Sequence, residues 1–301
     1  MNKKLIAIIG PTASGKSSLA VKLAKEFNGE VISADSRQIY KGMDIGTGKI
    51  TKKEMNSIPH HLLGVVSPKT RFTVVRYRKL AIKAIDKIQK KNKIPIICGG
   101  TGLYIQSIID GITIPEVKPD LKLRKELEKL TTEQLFKKLK KLDKKRSETI
   151  DKDNGRRLIR ALEIVIKTKK PVPSLEKNTL PYPFLIIGIK KEKKELEKLI
   201  KKRFFEWLKL GFLKEVLNLK KTGLSWKKIE EFGIHYKTGS LYIQHKITEK
   251  EFIEKSLIEL NNYAKRQMIW FKKDNRINWV KNYKETIKIT KNLLKIKSGG
   301  K

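Results

Sequence analysis

The octapeptide Gly10-Pro11-Thr12-Ala13-Ser14-Gly15-Lys16-Ser17 constrains this chain more than any other segment, because it matches the phosphate-binding pattern G-x-x-x-x-G-K-[ST] in full. It follows the continuous apolar run Leu5-Ile6-Ala7-Ile8-Ile9, which is typical of a strand buried on both faces. Apolar residues then recur at helical spacing, which predicts a helix from Lys16 to about Phe27. Strand, loop and helix in this order are the context that the motif requires, so the sequence predicts a P-loop.

The P-loop predicts a phosphate ligand but not a reaction. Its glycines let backbone N–H groups point at phosphate oxygens, and the helix N-terminus adds partial positive charge. We expect Lys16 to neutralise the phosphates and Ser17 to ligate a bridging Mg²⁺. An ATP- or GTP-dependent kinase or ATPase normally carries an acid at the end of a core strand. Here the predicted strand Ile94–Cys98 ends in Gly99-Gly100-Thr101-Gly102, so that acid is expected elsewhere.

Strands and helices alternate through the first third of the chain. A second strand is predicted at Glu30–Ser33, and the amphipathic helix Val75–Gln89 precedes the strand Ile94–Cys98. Strands that alternate with helices imply right-handed crossovers and a parallel sheet. The single cysteine, Cys98, is expected in the core.

From about Pro115 the pattern becomes Lys/Glu/Leu-rich and helical, before the apolar run Phe184–Ile189 predicts a strand that rejoins the sheet. We therefore expect an α/β fold: a P-loop NTPase-like parallel sheet core flanked by helices, with an all-helical insertion domain. The core would comprise 1–115 and 184–301, and the insertion 116–183. The remainder after the last strand is predicted to be helical, near 192–220, 226–244 and 249–273, with a frayed tail after Lys297.

Charge is the dominant property of the composition, since 70 Lys and Arg face 31 Asp and Glu for a formal net charge of +39. Such a surface attracts polyanions, which makes nucleic acid the leading candidate partner, although a generally lysine-rich composition is an equal explanation. No apolar run reaches the roughly 20 residues that span a bilayer. One cysteine excludes an internal disulfide and a cysteine-built zinc site. We expect a cytoplasmic protein that does not bind membranes, with a monomer as the default.

The best-placed acid is Asp35, which closes the second predicted strand, since ligands of open α/β sheets bind beyond the carboxyl ends of strands. A polar and aromatic segment, Asp35-Ser36-Arg37-Gln38-Ile39-Tyr40-Lys41-Gly42-Met43-Asp44-Ile45-Gly46-Thr47, begins there. Functional loops are typically found in such positions.

Together with the P-loop, this segment closely resembles the tRNA dimethylallyltransferase family. Three further segments resemble the same family in the same order: Gly99-Gly100-Thr101-Gly102-Leu103-Tyr104, Arg156-Arg157-Leu158-Ile159-Arg160-Ala161-Leu162-Glu163 and Ala264-Lys265-Arg266-Gln267. The C-terminal Gly233-Ile234-His235-Tyr236-Lys237 departs from the family's Gly-Tyr-Lys-like signature.

The resemblance implies transfer of a dimethylallyl group from dimethylallyl pyrophosphate to N6 of the adenosine at position 37 of tRNA, 3′ of the anticodon, with Mg²⁺ and release of pyrophosphate. In this family the P-loop holds the prenyl pyrophosphate, which explains a phosphate cradle without ATPase machinery. A carboxylate that accepts a proton from the adenine amine would assist the attack. The partners implied are the tRNA anticodon stem-loop and dimethylallyl pyrophosphate.

Matching motif positions carries the family's roles onto this chain. Catalytic roles fall on Asp35 as general base, Thr101 near the flipped adenosine and Arg203 as a pyrophosphate-binding arginine. The pyrophosphate-binding residues would be Gly10, Pro11, Thr12, Ala13, Ser14, Gly15, Lys16 and Ser17. The tRNA-binding residues would be Asp35, Ser36, Arg37, Gln38, Thr101, Lys122, Arg156, Arg157, Leu158, Ile159 and Arg160.

Each assignment has a structural alternative. Asp35 could cap a helix or pair with Lys16. The arginines at 156, 157 and 160 could form a solvated helix face. His60 and His61 are adjacent, which is poor spacing for one metal, so we interpret them as loop or hydrogen-bonding residues.

Two other function classes remain open on the residues alone. The first is a P-loop NTP-dependent kinase of a small molecule, which would show ATP-dependent phosphate transfer. The second is a basic nucleic-acid-binding protein without catalytic activity, whose function would survive loss of the Asp35 carboxylate.

Overall fold

The apolar runs of the sequence form a six-stranded parallel sheet in this computed structural model, which describes residues 3–112, 117–173 and 179–295. Within those residues the strand order is β3-β2-β4-β1-β5-β6. The bounds are β1 (Leu5–Ile9), β2 (Gly29–Ser33), β3 (His60–His61), β4 (Ile94–Gly99), β5 (Phe184–Ile189) and β6 (Ile277–Val280).

Parallel register brings three strand ends to one edge of the sheet. Ile96 of β4 pairs with Ile6 of β1 on one side and with Val31 of β2 on the other. The segments that leave these strands therefore emerge side by side: the P-loop after β1, Asp35 after β2 and Thr101 after β4. These are the segments for which the sequence predicted function.

Helices cover both faces of the sheet. Alternate residues of β1 enter different hydrophobic clusters, because successive side chains of a strand point to opposite faces. Leu5, Ala7 and Ile9 pack in one cluster, while Ile6 and Ile8 pack in the other. The helices before the insertion are α1 (Lys16–Glu26), α2 (Lys52–Met55), α3 (Val74–Lys90) and α4 (Gly102–Ile109). Those after it are α9 (Lys193–Lys209), α10 (Phe212–Lys221), α11 (Trp226–Glu230), α12 (Ile234–Ile243), α13 (Glu249–Phe271) and α14 (Tyr283–Lys295).

Residues 111–178 form a separate compact unit, and 1–110 with 179–301 form the other. The described part of the smaller unit contains α5 (Leu121–Leu127), α6 (Thr132–Leu142), α7 (Lys144–Thr149) and α8 (Gly155–Thr168). Its core is aliphatic, with Leu139, Leu158 and Leu162 fully buried. We call this the helical unit; the boundaries expected from sequence were 116 and 183.

The predicted strands β1, β2, β4 and β5 are confirmed, and Cys98 is buried. The prediction that the remainder after β5 is helical is wrong at Ile277–Val280, which forms the edge strand β6. This strand has only four residues and an internal asparagine, so its apolar run is too short to recognise. The expected fraying after Lys297 lies outside the described residues. Among the described helices, none combines the length and apolarity needed to cross a membrane.

A buried carboxylate, Glu30 of β2, forms hydrogen bonds near the β3 edge of the sheet. Glu30 is fully buried and accepts hydrogen bonds from His61 Nε2 at 2.7 Å, Lys91 Nζ at 3.1 Å and Lys93 Nζ at 3.1 Å. His60 and His61 are thus hydrogen-bonding residues of a short strand, β3, rather than of a loop. Burial alone raises the pKa of Glu30, but these hydrogen bonds outweigh it and lower the pKa to about 2.

We expect Glu30→Gln to lower the free energy of unfolding at pH 7 by about 1–3 kcal/mol, since each hydrogen bond lost involves a charged group. Because the folded pKa is depressed, the carboxylate stabilises the fold above about pH 4.5 and loses this effect as the pH falls towards 2. Urea denaturation of both proteins across that range should show the difference shrinking. Glu197→Gln, which alters an exposed pair with Lys193, is the control and should leave the midpoint almost unchanged. A Glu30→Gln difference that is constant with pH would contradict this assignment.

Candidate active site

The P-loop presents an uncapped helix N-terminus. Gly15 stands at the N-cap of α1 with φ +89°, a left-handed conformation that favours glycine, and it offers no side chain to cap the helix. By contrast, Thr73 caps α3 through its hydroxyl group. The first N–H groups of α1 are therefore available to an anion, as the motif predicts.

Lys16 lies among charged neighbours in this loop. Its Nζ donates to the carbonyl oxygen of Pro11 at 2.5 Å. Burial lowers the pKa of Lys16 to about 8; the positive charge of Arg203 lowers it further, whereas the negative charge of Asp35 opposes the shift. The structure thus brings three sequence-predicted residues within electrostatic reach of one another, although Arg203 is 187 positions from Lys16 in the sequence (203 − 16).

Arg203 faces the phosphate side of the site from α9. Burial lowers its pKa, with nearby acids that include Asp35 opposing the shift. It lines a cavity of about 960 Å³ together with Ser17, Gly48 and Trp207. Only the family resemblance distinguishes Arg203 from the neighbouring lysines in the sequence, yet in the fold it shares a cavity with the P-loop hydroxyl.

Asp35 is half-buried at the end of β2, where its carboxylate organises the chain that follows. Its Oδ1 accepts the backbone N–H groups of Arg37 at 2.8 Å and Gln38 at 3.3 Å. Asp35 therefore caps a turn instead of a helix, and Lys16 Nζ bonds Pro11 rather than this carboxylate. The Asp35 charge also contributes to the raised pKa of Tyr263, after the larger effect of burial, which places α13 beside this site.

Thr101 connects the end of β4 to the segment after Asp35. Its Oγ1 accepts the backbone N–H of Ser36 at 3.0 Å, and its own N–H donates to the carbonyl oxygen of Ala34 at 3.1 Å. The Thr101 side chain is thus held against the residue next to Asp35. The resemblance gave Thr101 a role near the flipped adenosine, and that role stays a prediction.

The segment 35–49, which we call the Asp35 loop, is anchored by residues that the sequence analysis missed. Glu215 on α10 is buried and accepts the backbone N–H groups of Asp44 at 2.6 Å, Ile45 at 2.7 Å and Gly46 at 3.1 Å. Tyr236 donates its hydroxyl to the same carboxylate at 2.7 Å. An acid within a Lys/Glu-rich helix has no local signal that distinguishes it from a solvated one.

His235 also holds the Asp35 loop, from the segment that departs from the family signature. Its Nε2 lies 2.6 Å from the carbonyl oxygen of Gly46. Burial lowers the pKa of His235 to about 4, so the ring is neutral at pH 7 and Nε2–H donates to that carbonyl. Inside the loop, Gln38 Nε2 donates to the carbonyl oxygens of Thr47 and Gly48, each at 3.2 Å. The Gln38 amide, expected to contact tRNA, therefore holds the loop together.

The arginine-rich segment of the helical unit divides into buried and exposed positions. Leu158, expected to bind tRNA, is fully buried, so its side chain is not available to RNA, while Ile159 is partly buried against the same core and its role stays a prediction. Arg160 Nη1 donates to the buried carboxylate of Glu163 at 2.6 Å. Arg156 and Arg157 are exposed.

Those exposed arginines border a small cavity of the helical unit. Its volume is about 290 Å³, and Arg146 and Arg160 also line it. Lys122 is exposed at the start of α5. These cations leave a basic surface on the helical unit.

Neither thiol chemistry nor a protein-built metal centre fits this site. Burial raises the pKa of the Cys98 thiol to about 12, so it is not a thiolate nucleophile at neutral pH. Across 3–112, 117–173 and 179–295, no three His, Cys, Asp or Glu residues gather as metal ligands. The Ser14 hydroxyl of the P-loop is buried without a hydrogen-bond partner, which leaves a polar group for a bound anion.

Comparison with known proteins agrees with this site. The family model described as IPP transferase matches residues 38–274. The chain is 41% identical to a tRNA dimethylallyltransferase of Acetivibrio thermocellus, over 96% of each chain. It is 40% identical to that of a Thermoanaerobacter species, over 98% of each.

Solved structures give the same relationship. The tRNA isopentenylpyrophosphate transferase of Bacillus halodurans is 34% identical and superimposes with a TM-score of 0.72, over 97% of this chain and 96% of that one. A eukaryotic dimethylallyltransferase acting on tRNA is 27% identical with a TM-score of 0.81, over 97% of this chain and 80% of that one. The predicted P-loop NTPase-like fold and the family resemblance are both confirmed. The chain belongs to the IPP transferase family and is an enzyme of the tRNA dimethylallyltransferase type.

Proposed function

We propose that this enzyme transfers a dimethylallyl group from dimethylallyl pyrophosphate to N6 of adenosine 37 of tRNA and releases pyrophosphate. One observation carries the proposal: an uncapped P-loop with Lys16 and Arg203 lies within electrostatic reach of a carboxylate, Asp35, at a neighbouring strand end. Such a site can hold a pyrophosphate leaving group beside a proton acceptor. The curated relatives bear the corresponding name.

The negative and positive groups of the site have different roles in the proposed reaction. The exocyclic amine of adenine is a poor nucleophile, so Asp35 hydrogen-bonds it and accepts its proton as the bond to the allylic carbon forms. Lys16, Arg203 and the P-loop amides stabilise the negative charge that develops on the departing pyrophosphate. Thr101, whose Oγ1 accepts the N–H of Ser36, is proposed to lie beside the adenine when it enters the site.

Mg²⁺ is proposed to arrive with the pyrophosphate. The described residues gather no set of three ligands, and a magnesium ion typically keeps several waters and relies on substrate phosphates. Ser17, at the start of α1, supplies a hydroxyl from the protein. When bound, the ion neutralises charge on the leaving group.

The tRNA is proposed to reach the site by its anticodon stem-loop, with adenosine 37 turned out of the base stack. Ser36 and Arg37 lie beside Asp35 at the end of β2, and Lys122, Arg156 and Arg157 are exposed on the helical unit. We propose that the latter three contact the RNA backbone. We also propose that the enzyme acts in the cytoplasm as a monomer.

The decisive test uses the purified protein with unmodified tRNA, radiolabelled dimethylallyl pyrophosphate and Mg²⁺. We expect label in tRNA, at the nucleoside 3′ of the anticodon when the product is digested. ATP-dependent phosphorylation of a small molecule without prenyl transfer would instead support the kinase alternative. Label at a different nucleoside would disprove the proposed position.

Asp35→Asn should reduce kcat by about 10²-fold or more, the scale of a lost general base. The amide keeps an Oδ1 acceptor for the Arg37 and Gln38 N–H groups, so the loop and the Kd for tRNA should change little. The exposed Asp86→Asn on α3 is the matched control and should retain wild-type turnover. Equal turnover in the two variants would mean that Asp35 is not the base.

The KM for dimethylallyl pyrophosphate should rise as the pH increases from 7 to 9. The Lys16 pKa is lowered to about 8, so the ammonium that binds phosphate is progressively lost above that pH. Initial rates at a saturating tRNA concentration measure this. Lys16→Arg keeps its charge throughout and should give a flatter profile. A wild-type KM that does not change from pH 7 to 9.5, with the same profile in Lys16→Arg, would show that loss of the Lys16 proton does not control binding of the pyrophosphate in this range.

Arg156→Ala and Arg157→Ala should each weaken tRNA binding and make it less dependent on salt. A lost phosphate contact lowers the slope of log K against log salt concentration by roughly 0.7–0.9. Filter binding at several salt concentrations gives the slope, and kcat at saturating tRNA should be unchanged. The exposed Lys140→Ala in the same unit is the control. Unchanged slopes would place the RNA elsewhere.

A further inference from the structure

Gln267 on α13 is a buried polar residue that joins two loops of the active site. Its side chain is only 6% exposed. Its Oε1 accepts the backbone N–H of Thr12 at 2.8 Å, and its Nε2 donates to the carbonyl oxygen of Gly100 at 2.9 Å. One amide group thus bonds the P-loop after β1 and the turn after β4 at the same time.

The two residues bonded by Gln267, Thr12 and Gly100, lie on different sides of the proposed active site. Thr12 lies in the P-loop, where the leaving group binds. Gly100 directly precedes Thr101, whose Oγ1 holds the N–H of Ser36 beside Asp35. Three hydrogen bonds, joined by the backbone between Gly100 and Thr101, therefore connect the leaving-group side through Gln267 to the general-base side. The Thr12 N–H donates its hydrogen bond to Gln267, so Thr12 can contact pyrophosphate through its side-chain hydroxyl group instead.

The fit around the amide is tight. A Cβ atom added at Gly100 would lie 2.1 Å from Gln267 Nε2, well inside van der Waals contact. Glycine at this position leaves the space that the amide occupies. The pairing of β1 with β4 brings the two loops together, and the Gln267 amide then bonds to both of them.

We propose that Gln267 is a positioning residue: it holds the P-loop at a defined distance from the Thr101–Asp35 side, and so sets the gap across which the prenyl carbon is transferred. This inference rests on the proposed prenyl transfer. Each substrate binds mainly to one half, whereas the chemical step needs both halves in register. A displacement of about 1 Å can cost about 10²-fold in rate while leaving separate binding steps intact.

Gln267→Met removes both hydrogen bonds at nearly constant volume, and Gln89→Met is the matched control. Gln89 is also buried, on α3, where its Nε2 donates to the carbonyl oxygen of Lys4 at 3.4 Å. For Gln267→Met we expect kcat to fall about 10- to 100-fold, with KM for each substrate within about threefold of wild type. Gln89→Met should keep wild-type kcat even if it lowers Tm as much. Gly100→Ala, which displaces the amide, should give the kinetic pattern of Gln267→Met.

Hydrogen exchange provides a readout that does not depend on activity. The Thr12 amide should be protected in the wild type and in Gln89→Met, and should exchange faster in Gln267→Met while the amides of β1 and β4 stay protected. A kcat for Gln267→Met within twofold of Gln89→Met, or unchanged protection at Thr12, would overturn the inference. If the wild type transfers no prenyl group, the proposed function fails by itself, and the exchange result at Thr12 still decides whether Gln267 holds the loop.

Discussion

The parallel pairing of β1 with β4 and of β4 with β2 is the constraint on which the site depends. Parallel strands end at a common edge, so three segments that lie far apart in the sequence start beside one another. The segment after β1 contributes the P-loop, the segment after β2 contributes the Asp35 carboxylate, and the segment after β4 contributes the Thr101 hydroxyl, which accepts the N–H of Ser36. Helices α10 and α13 then supply Glu215 and Gln267, which hydrogen-bond the loops, and α9 supplies the cation Arg203.

Positive and negative side chains lie close together, partly or fully removed from water, at the carboxyl ends of these strands. Lys16 and Arg203 both have lowered pKa values because their ammonium and guanidinium groups are removed from water, and each cation is partly compensated by Asp35. An incoming pyrophosphate would supply the negative charge that these cations lack. The same arrangement keeps the Asp35 carboxylate within electrostatic reach of Lys16 without a direct bond between them, since Lys16 Nζ is bonded to the carbonyl oxygen of Pro11.

The features predictable from sequence are those set by short-range patterns. The buried run of β1, the glycine at the N-cap of α1 and the apolar spacing of α3 are each contained in one short stretch of the chain, so their consequences can be derived locally. The edge strand β6 and the division of the long helical stretches escaped prediction. Short strands are stabilised by their neighbours in the sheet more than by their own residues.

The sequence by itself predicted a phosphate-binding loop, placed Asp35 after a strand and indicated the family that the chain resembles, because motif, spacing and residue type are local properties. Only the tertiary structure decided which ordinary residues serve the site. Gln267 reaches Thr12 across 255 positions, and Glu215 reaches Asp44 across 171. A glutamine or glutamate on a helix acquires such a role from what the fold places opposite it, since the energy of a buried hydrogen bond depends on the partner and on the exclusion of water.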